Sequence, residues 1–218
     1  MADENSQGEL PPLPIRAVAR TMSVVIARAP FLWPVLRRPT QRFWEKAAGR
    51  WDERIRPDST EHLAPLAAGC ERLEAAPRKI LELGTGTGAG ARMLARRFPG
   101  AEIWAVDISQ AMIDQAKQKA PDDVASKLHF AVADAAALPA EIETVDLVCQ
   151  LNLPLYAEAV VRLLAPGGHV LIASSRGSRT PYYTPDRVLR RRFERLDLQA
   201  LAGGQAGEGT YFLARRPA

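Results

Sequence analysis

The sequence predicts an α/β fold around a mostly parallel sheet, and two observations carry that prediction. From Lys79 onward, short apolar runs alternate with helical patterns of about a dozen residues, which is typical of βαβ units. The first apolar run leads directly into the glycine-rich turn "ILELGTGTGAG" at residues 80–90. In α/β proteins, such a turn from a strand into a helix surrounds a small bound molecule.

The alternation predicts five strands in the core of the chain and two more in its tail. The first five strands are expected at 79–83, 102–107, 128–133, 145–150 and 168–174. Helices are expected between them at 88–97, 109–119 and 155–165. In the tail, 193–200 and 210–215 are predicted to be antiparallel strands joined by the glycine-rich connection "LAGGQAGEG".

The chain before the sheet is predicted to be helical. A first helix is expected over 15–29 and should end before Pro30, because proline restricts the residue that precedes it. Two further helical stretches are expected at 40–55 and 60–76. The predicted organisation is a flexible tail at 1–14, a helical lid or substrate region at 15–77, and an α/β core at 78–218.

Composition restricts the class of protein. The 218 residues are 47% hydrophobic and carry a net charge of +4, which suits one core and is weak evidence for an anionic partner. Two cysteines, Cys70 and Cys149, make no disulfide framework, so we expect a reducing cytoplasm. The most apolar segment is interrupted by Arg28, Pro30 and Pro34, so we expect no membrane-spanning helix.

Three acidic residues follow or end predicted strands. Glu82 stands two positions before the first glycine of the turn, Asp107 ends the second strand and Asp134 follows the third. Because ligands bind beyond the carboxyl ends of parallel strands, the three acids belong to one crevice. The first two glycines of the turn, with Ala89, also fit the dinucleotide fingerprint, so the turn alone leaves two cofactors open.

Glu82 distinguishes between these two candidate cofactors, a dinucleotide and S-adenosylmethionine. A dinucleotide presents a pyrophosphate to the glycine turn, and a neighbouring carboxylate would repel that anion. S-adenosylmethionine presents an ammonium and a sulfonium, which a carboxylate attracts. Asp107 can accept hydrogen bonds from ribose hydroxyls, and Asp134 can accept one from the exocyclic amine of adenine. The acids therefore favour S-adenosylmethionine.

The motifs "ILELGTGTG", "AVDIS", "VADAAALP", "VDLVCQLN" and "RLLAPGGHVLIAS" resemble, in order and spacing, those of class I S-adenosylmethionine-dependent methyltransferases. The resemblance runs from about residue 78 to 216, and "FWEKAAGRWDERI" is similar to the small-molecule, UbiE-like (type 11) branch. It implies a Rossmann-like seven-stranded sheet, mostly parallel with an antiparallel last strand. It also implies helices on both faces, extra N-terminal helices, S-adenosylmethionine as cofactor and a small, partly apolar methyl acceptor.

The same resemblance implies a set of site residues. Trp51 and Asp52 correspond to an aromatic–Asp pair that lies over the cofactor in this branch, and Tyr156, Tyr182 and Tyr183 are candidate walls of a substrate pocket. The residues expected to bind the cofactor lie along the carboxyl edge of the sheet: Glu82, Gly84, Thr85, Gly86, Gly88, Asp107, Ile108, Asp134, Ala135, Gln150 and Asn152.

The sequence assigns no catalytic residue. His129 and His169 fall within or at the head of predicted strands, where we expect structural roles, whereas His62 lies upstream and could face the site. No carboxylate ends the fourth strand, where the metal-dependent branch of the family has one, so we expect no metal.

The N-terminal region leaves two functions open. An apolar stripe at 15–29, flanked by arginines and followed by Phe31 and Trp33, suits a helix that packs on the core or on a partner subunit, or one that lies on an anionic membrane. Prolines interrupt the segment, so the sequence favours a lid over a small-molecule acceptor. A membrane-associated lipid or quinone methyltransferase is the alternative, and a nicotinamide-dependent oxidoreductase or a non-catalytic cofactor-binding domain is the second.

The remaining expectations concern partners and place in the cell. We expect no nucleic-acid partner, because the chain has no added recognition domain and only a slight positive charge. The basic run at 187–195 is predicted to be a solvated face. We expect a cytoplasmic protein, with peripheral contact to the inner face of the membrane as the alternative.

Overall fold

The computed structural model describes residues 17, 19–21, 23, 24, 30–138 and 142–218. The described residues between 17 and 24 are helical, in agreement with the first predicted helix. The predicted tail at 1–14 and the rest of that helix lie outside the described residues. Among the helices that the structure describes, none has the length and apolar composition needed to cross a bilayer.

Seven strands form one sheet in the order β3-β2-β1-β4-β5-β7-β6. The first five strands pair in parallel, and β7 runs antiparallel between β5 and β6, as predicted. The fifth strand begins four residues earlier than expected. The strands are β1 Lys79–Leu83, β2 Glu102–Asp107, β3 Leu128–Val132, β4 Val145–Leu151, β5 Leu164–Ser174, β6 Gln199–Ala206 and β7 Gly209–Arg215.

Helices cover the two faces and the carboxyl edge of this sheet. Short 3-10 turns lie at Pro30–Leu32, Ala48–Arg50 and Gly177–Arg179. The α-helices are α1 Trp33–Ala47, α2 Trp51–Ile55, α3 Thr60–Cys70, α4 Ala89–Arg97, α5 Gln110–Gln118, α6 Asp122–Ala125, α7 Ala157–Leu163 and α8 Asp186–Glu194.

The core has one apolar layer on each face of the sheet. Leu66 of α3 and Leu94 of α4 pack on one face, and Val160 of α7 and Phe193 of α8 pack on the other. Strands that are buried on both faces need apolar side chains at successive positions, not at alternate ones. This is why the strands appear in the sequence as continuous apolar runs.

The tail corrects one prediction. Helix α8 extends two residues into the segment 193–200 that was expected to be a strand, and β6 begins only at Gln199. The glycine-rich stretch expected to connect two strands lies mostly inside β6. A Cβ at Gly204 would lie 3.2 Å from the ring of Tyr211 on β7, so glycine there permits close packing of an aromatic side chain. The reversal itself falls at Gly207, where φ is +57°.

The prolines of the N-terminal region correct a second prediction. Helix α1 begins before Pro34 and continues through Pro39, although a helix was expected only from residue 40. Pro34 lies in the first turn, where helical N–H groups have no partner within the helix in any case. Pro39 removes one hydrogen bond from the middle of α1, so tertiary contacts of this helix outweigh that loss.

Candidate functional site

A left-handed glycine turn connects β1 to α4. The φ angles of Gly84, Gly86 and Gly88 are +70°, +54° and +82°, a region that side chains with a Cβ disfavour. The backbone N–H groups of Gly84 and Thr85 donate to the Val106 carbonyl at 2.8 and 3.0 Å. The turn is therefore fixed to the end of the neighbouring strand β2.

Glu82 supports this turn from below. Its side chain is 2% exposed, and Oε2 accepts a 2.5 Å hydrogen bond from the Thr85 hydroxyl. A Cβ at Gly90 would overlap Glu82 Oε1, so the carboxyl group lies directly against the backbone of α4. Burial raises the pKa of Glu82 to about 7, opposed by the Thr85 hydrogen bond and by the nearby charge of Arg92.

Asp107 joins the glycine turn to the next helix. Its Oδ2 accepts from the Gly86 N–H at 2.9 Å, and its Oδ1 accepts from the Ser109 N–H at 3.0 Å. Burial raises the pKa of Asp107, and these backbone hydrogen bonds oppose that shift. Ser109 in turn caps α5, because its hydroxyl accepts from the Met112 N–H.

Asp134 is covered by helix α1. The indole N–H of Trp33 donates to Asp134 Oδ2 at 2.8 Å, and Arg37 Nε lies 3.4 Å from the same oxygen. The other oxygen accepts from the Ala136 N–H at 2.9 Å. Sequence reasoning missed Trp33 and Arg37 as site residues, since Trp33 lies 101 positions from Asp134. Their spacing on one face of a helix is the signal that could have paired them.

The far end of α1 is tied to the first turn of α5. The Glu45 carboxylate accepts from the backbone N–H groups of Gln110 and Ala111 at 2.9 and 3.0 Å. A carboxylate at a helix N-terminus satisfies free N–H groups and complements the helix dipole. The Gln115 amide also donates to the Ala48 carbonyl at 2.8 Å. Helix α1 therefore extends along the carboxyl edge of the sheet from Asp134 to α5.

Helix α2 lies over the glycine turn. Asp52 accepts a 2.7 Å hydrogen bond from the Thr87 hydroxyl and forms an ion pair with Lys119. The indole nitrogen of Trp51 would lie 3.9 Å from a Cβ placed on Gly86, and no nearer atom would. The structure thus places the predicted Trp51–Asp52 pair above the turn.

Arg92 fastens the turn from the opposite side. It is 6% exposed, donates to the Thr87 carbonyl at 2.7 Å, and pairs with Asp58 at 2.5 Å. Because Asp58 precedes α3, this buried arginine links the glycine turn to the N-terminal helices. In the sequence, Arg92 is one of several arginines in an amphipathic helix, and nothing there distinguishes it.

Five aromatic rings line the crevice. Trp33 meets Tyr156 edge-on with ring centroids 5.9 Å apart, and Trp44 lies 5.2 Å from Trp51 and 6.4 Å from Tyr182. Burial raises the pKa of Tyr182, with the charge of Asp107 adding to the shift. Burial and the charge of Asp134 likewise raise the pKa of Tyr156. Both phenols therefore face the acids of the site.

His62 and Asn152 meet at the carboxyl end of β4. Asn152 has a φ of +56°, and its amide exchanges hydrogen bonds of 2.9 Å with the hydroxyl and the N–H of Ser175. His62 Nε2 lies 3.4 Å from Asn152 Nδ2. Burial, with a smaller effect from Arg176, lowers the pKa of His62 to about 4, so its ring is neutral at pH 7.

The other two histidines lie away from this edge. His129 stacks on Trp104 of β2 with ring centroids 5.0 Å apart. His169 lies in the first half of β5, opposite Arg215 of β7. Structural roles for these two histidines stay a prediction.

Gln150 provides an unusual polar group at the end of β4. Its side chain is fully buried, yet neither atom of its amide has a hydrogen-bond partner among the residues that the structure describes. Buried polar groups in native proteins are paired, so this amide fits a polar ligand. No cluster of three or more His, Cys, Asp or Glu suited to a metal occurs in the described part of the chain.

The remaining predicted residues lie at the margins of the crevice or beyond it. Ile108 follows Asp107, and its backbone N–H, with those of Gly86 and Ser109, opposes the rise that burial causes in the pKa of that carboxyl group. Ala135 follows Asp134 and packs, half-buried, against one apolar layer. Tyr183 lines a separate recess of about 310 Å³ between α8 and strands β5, β6 and β7. The structure thus separates Tyr182, in the crevice, from Tyr183.

The strand order has β7 inserted antiparallel, and a glycine turn lies beside acids at or near the carboxyl ends of β1, β2 and β3. These features define the class I S-adenosylmethionine-dependent methyltransferase fold. Residues 80–168 match a family model described as a methyltransferase domain. Residues 80–168 therefore match a methyltransferase domain within a class I fold, and the cofactor of this class is S-adenosylmethionine.

Curated relatives agree with this class. The chain is 32% identical over 145 residues to malonyl-[acyl-carrier protein] O-methyltransferase of Halorhodospira halophila, covering 63% of this chain and 48% of the relative. It is 39% identical over 107 residues to demethylmenaquinone methyltransferase of Thermus thermophilus, covering 46% and 48%. The chain thus spans about half the length of each of these relatives.

A solved structure shows the same fold. Magnesium protoporphyrin IX methyltransferase from Synechocystis PCC 6803, determined with bound S-adenosylhomocysteine, superposes with a TM-score of 0.63 at 16% identity. The superposition covers 83% of this chain and 99% of that one.

The crevice fits the cofactor of this class chemically. It presents the carboxyl groups of Asp107 and Asp134, which can accept hydrogen bonds, and the buried Gln150 amide adds a polar group that lacks a partner among the described residues.

Proposed function

We propose that this chain transfers a methyl group from S-adenosylmethionine to a small, partly apolar acceptor by in-line displacement. One observation carries the proposal. The glycine turn, Glu82, Asp107 and Asp134 converge at the carboxyl edge of the sheet beneath a wall of aromatic side chains.

Each carboxyl group has a separate task in this proposal. Each Asp107 oxygen has two acceptor positions and uses one for a backbone N–H, so both oxygens can still accept from the ribose diol. Asp134, next to Ala135, would hold the adenine amine, and Glu82 would shape the turn at the methionine end. Gln150 and Asn152 would lie near the transferred methyl group. The cofactor, when bound, supplies an electrophilic methyl group on a sulfonium.

The residues of the chain orient the reactants and exclude water. Helices α1 and α2, within the proposed lid at 15–77, hold Trp44 and Trp51 above the glycine turn. Tyr156 and Tyr182 close the side of the crevice. Aligning two reactants in such an enclosure can contribute about 7–11 kcal/mol to catalysis.

His62 is proposed to orient the acceptor. Its neutral ring lies beside Asn152 at the end of β4, where an acceptor would approach. A histidine with a pKa near 4 is a weak base, so it suits a hydrogen-bond acceptor for a hydroxyl or carboxyl group better than a carrier of a full proton.

The relatives suggest the class of acceptor. Their names give a malonyl group on a carrier protein and a demethylated menaquinone as substrates. The malonyl group is small and acidic, whereas the menaquinone is largely apolar, and an apolar acceptor suits the aromatic wall of this crevice better. The buried, unbridged Cys70 and Cys149 fit a reducing compartment, and we propose the cytoplasm.

Calorimetry and a product search test the proposal. We expect S-adenosylmethionine and S-adenosylhomocysteine to bind with dissociation constants on the order of micromolar, and NAD not to bind. Incubation of enzyme and cofactor with a lysate of its own cells, split into lipid, RNA and small-metabolite fractions, should yield a product heavier by one CH2 in the lipid or metabolite fraction. Binding of NAD without S-adenosylhomocysteine would contradict the proposal. Binding without any product would favour a non-catalytic domain.

A further inference from the structure

Helix α1 presents two different faces. Its inner face carries Trp33, Arg37 and Trp44, which contact the crevice. Its outer face continues from the preceding 3-10 turn at helical spacing: Phe31, Val35, Arg38, Arg42 and Lys46. Phe31 is 76% exposed and Val35 is 73% exposed, whereas Trp33 between them is buried.

Exposed apolar side chains are concentrated in this part of the chain. Five of the eight large hydrophobic residues exposed in the described structure lie between positions 24 and 43: Val24, Phe31, Leu32, Val35 and Phe43. Single exposed apolar residues are ordinary, but a cluster marks a surface that meets another apolar phase.

The net charge of the protein is concentrated in the same segment. Residues 30–50 contain five cations and one acid, so their formal charge of +4 equals that of the whole chain, and all other residues sum to zero. The single acid, Glu45, faces α5. Arg38, Arg42 and Lys46 form no ion pair with any residue in the part of the chain that the structure describes.

A shallow recess of about 570 Å³ lies beside this face. Pro34, Val35, Arg37, Arg38 and Gln41 line it. It combines Pro34 and Val35 with the guanidinium group of Arg38, whereas the Arg37 guanidinium pairs with Asp134. Guanidinium groups bind phosphate oxygens in bidentate geometry.

We propose that the outer face of α1, with Phe31, binds an anionic lipid surface. Apolar side chains at one end and cations along the same face match the acyl boundary and the phosphate groups of such a surface. An acidic protein or a nucleic acid would match the cations but leave Phe31 and Val35 in water. Because the inner face of α1 covers the crevice, docking places the crevice mouth at the membrane. The acceptor is then lipid-soluble, a consequence that rests on the proposed function.

Helix α8 provides a matched comparison within the chain. It is also basic, but Arg190 and Arg192 pair with Asp186 and Glu158. Its one exposed large hydrophobic residue is Val188. If positive charge alone caused membrane binding, α8 and α1 would contribute equally.

Co-sedimentation of the full chain with vesicles tests the proposal. We expect the protein to pellet with vesicles of phosphatidylcholine and phosphatidylglycerol, less at high salt, and to remain in solution with phosphatidylcholine alone. The double variants Phe31→Ser/Val35→Ser and Arg38→Glu/Arg42→Glu should each weaken partitioning at least about tenfold. The control Arg187→Glu/Arg191→Glu should change it by less than about twofold.

Three results would overturn the inference. The first is no binding of the wild-type chain to anionic vesicles, and the second is a loss of vesicle binding in the α8 control as large as that in the α1 variants. The third is a dimer in analytical ultracentrifugation that Phe31→Ser/Val35→Ser dissociates, while vesicles have no effect. Vesicle binding is measured without cofactor, and S-adenosylhomocysteine binding is measured separately by calorimetry. If the protein binds S-adenosylhomocysteine but not vesicles, only the proposed membrane surface is wrong. If it binds vesicles but not S-adenosylhomocysteine, only the proposed function is wrong. The substituted side chains are exposed, so thermal melting should match the wild type.

Discussion

Two backbone N–H groups, from Gly86 and Ser109, donate to the carboxylate of Asp107. The residue therefore holds together the glycine turn and the start of α5, in addition to any contact with a ribose. A substitution that removes both oxygens leaves two backbone donors without an acceptor. Each unsatisfied buried donor costs about 1–3 kcal/mol, so the effect on folding is separable from the effect on binding.

We therefore predict different outcomes for two variants of Asp107. Asp107→Ala should lower the melting temperature clearly and abolish measurable cofactor binding. Asp107→Asn keeps one oxygen and should melt closer to the wild type, but should bind S-adenosylhomocysteine at least about tenfold more weakly, because hydrogen bonds to a charged acceptor are worth about 1.5–3 kcal/mol. Thermal melting and calorimetry measure the two effects. Unchanged affinity in Asp107→Asn would show that the ribose binds elsewhere.

Trp33 is the second residue with a measurable role. Its indole N–H donates to Asp134 Oδ2, and Arg37 Nε lies 3.4 Å from the same oxygen, so the two groups take both acceptor positions that an adenine amine could use there. Trp33→Phe keeps an aromatic ring against Tyr156 but removes the donor, so the indole and the adenine amine no longer compete. We predict that S-adenosylhomocysteine binds up to about tenfold more tightly to this variant, as determined by calorimetry. Weaker binding would mean that Trp33 supports the cofactor and does not compete with it.

At the scale of elements, helix α1 determines how the N-terminal region meets the core. It contains Pro39 in its interior, where proline removes a hydrogen bond and crowds the preceding turn. Contacts at both ends hold the helix: Trp33 and Arg37 on Asp134, and Glu45 on α5. A helix held by its neighbours tolerates a residue that its own propensity disfavours.

We predict that Pro39→Ala stabilises α1. Proline in a helix interior costs up to about 3 kcal/mol relative to alanine, and the greater freedom of the unfolded chain offsets about 0.4–1 kcal/mol of that gain. Hydrogen exchange across 33–47 should slow, and the melting temperature should rise. Pro34→Ala, in the first turn, is the matched control and should have no such effect. Faster exchange in Pro39→Ala would show that α1 needs the proline at this position.

For the whole molecule, two buried groups oppose each other in the dependence of stability on pH. The pKa of His62 is lowered from 6.5 to about 4, so the unfolded chain binds a proton at a higher pH than the folded chain does. Stability is therefore lost as the pH falls between these values. The pKa of Glu82 is raised from 4.5 to about 7, so the folded chain keeps a proton that the unfolded chain releases, and stability is lost as the pH rises between these values. Across their shared range the two effects nearly cancel.

In the variant Glu82→Gln, the effect of His62 on the pH dependence of stability should no longer be cancelled. The wild type loses stability between pH 4.5 and 7 because its folded state keeps Glu82 protonated, whereas glutamine does not titrate. The stability of the variant relative to the wild type should therefore rise by about 3 kcal/mol between pH 4.5 and 7 and then level off. Urea unfolding at several pH values measures this difference, and the slope with pH matters more than the offset at any one value. A difference that stays constant over that range would place the carboxyl of Glu82 in contact with water.

Local patterns predicted much of the sheet and part of the site. The apolar runs of β1 to β4 and the glycine turn are each determined by neighbouring residues, and they were predicted to within a residue at either end. The glycines of β6 were misassigned, because the reason for glycine at position 204 is the ring of Tyr211 on another strand. Pro39 led to a wrong helix boundary for the same reason, since the contacts that hold α1 come from residues far away in the sequence.

The sequence by itself determined the order of the elements, the glycine turn and the acids at the ends of β1, β2 and β3, because strand periodicity and turn chemistry are local properties. It therefore also indicated the class of cofactor. Only the tertiary structure decided that Trp33 and Arg37 meet Asp134, that Arg92 pairs with Asp58, and that His62 adjoins Asn152. These contacts join segments about 30 to 100 positions apart, and no periodicity records a distance across the fold. The same contacts turn one face of α1 toward the crevice and leave Phe31 and Val35 exposed on the other face.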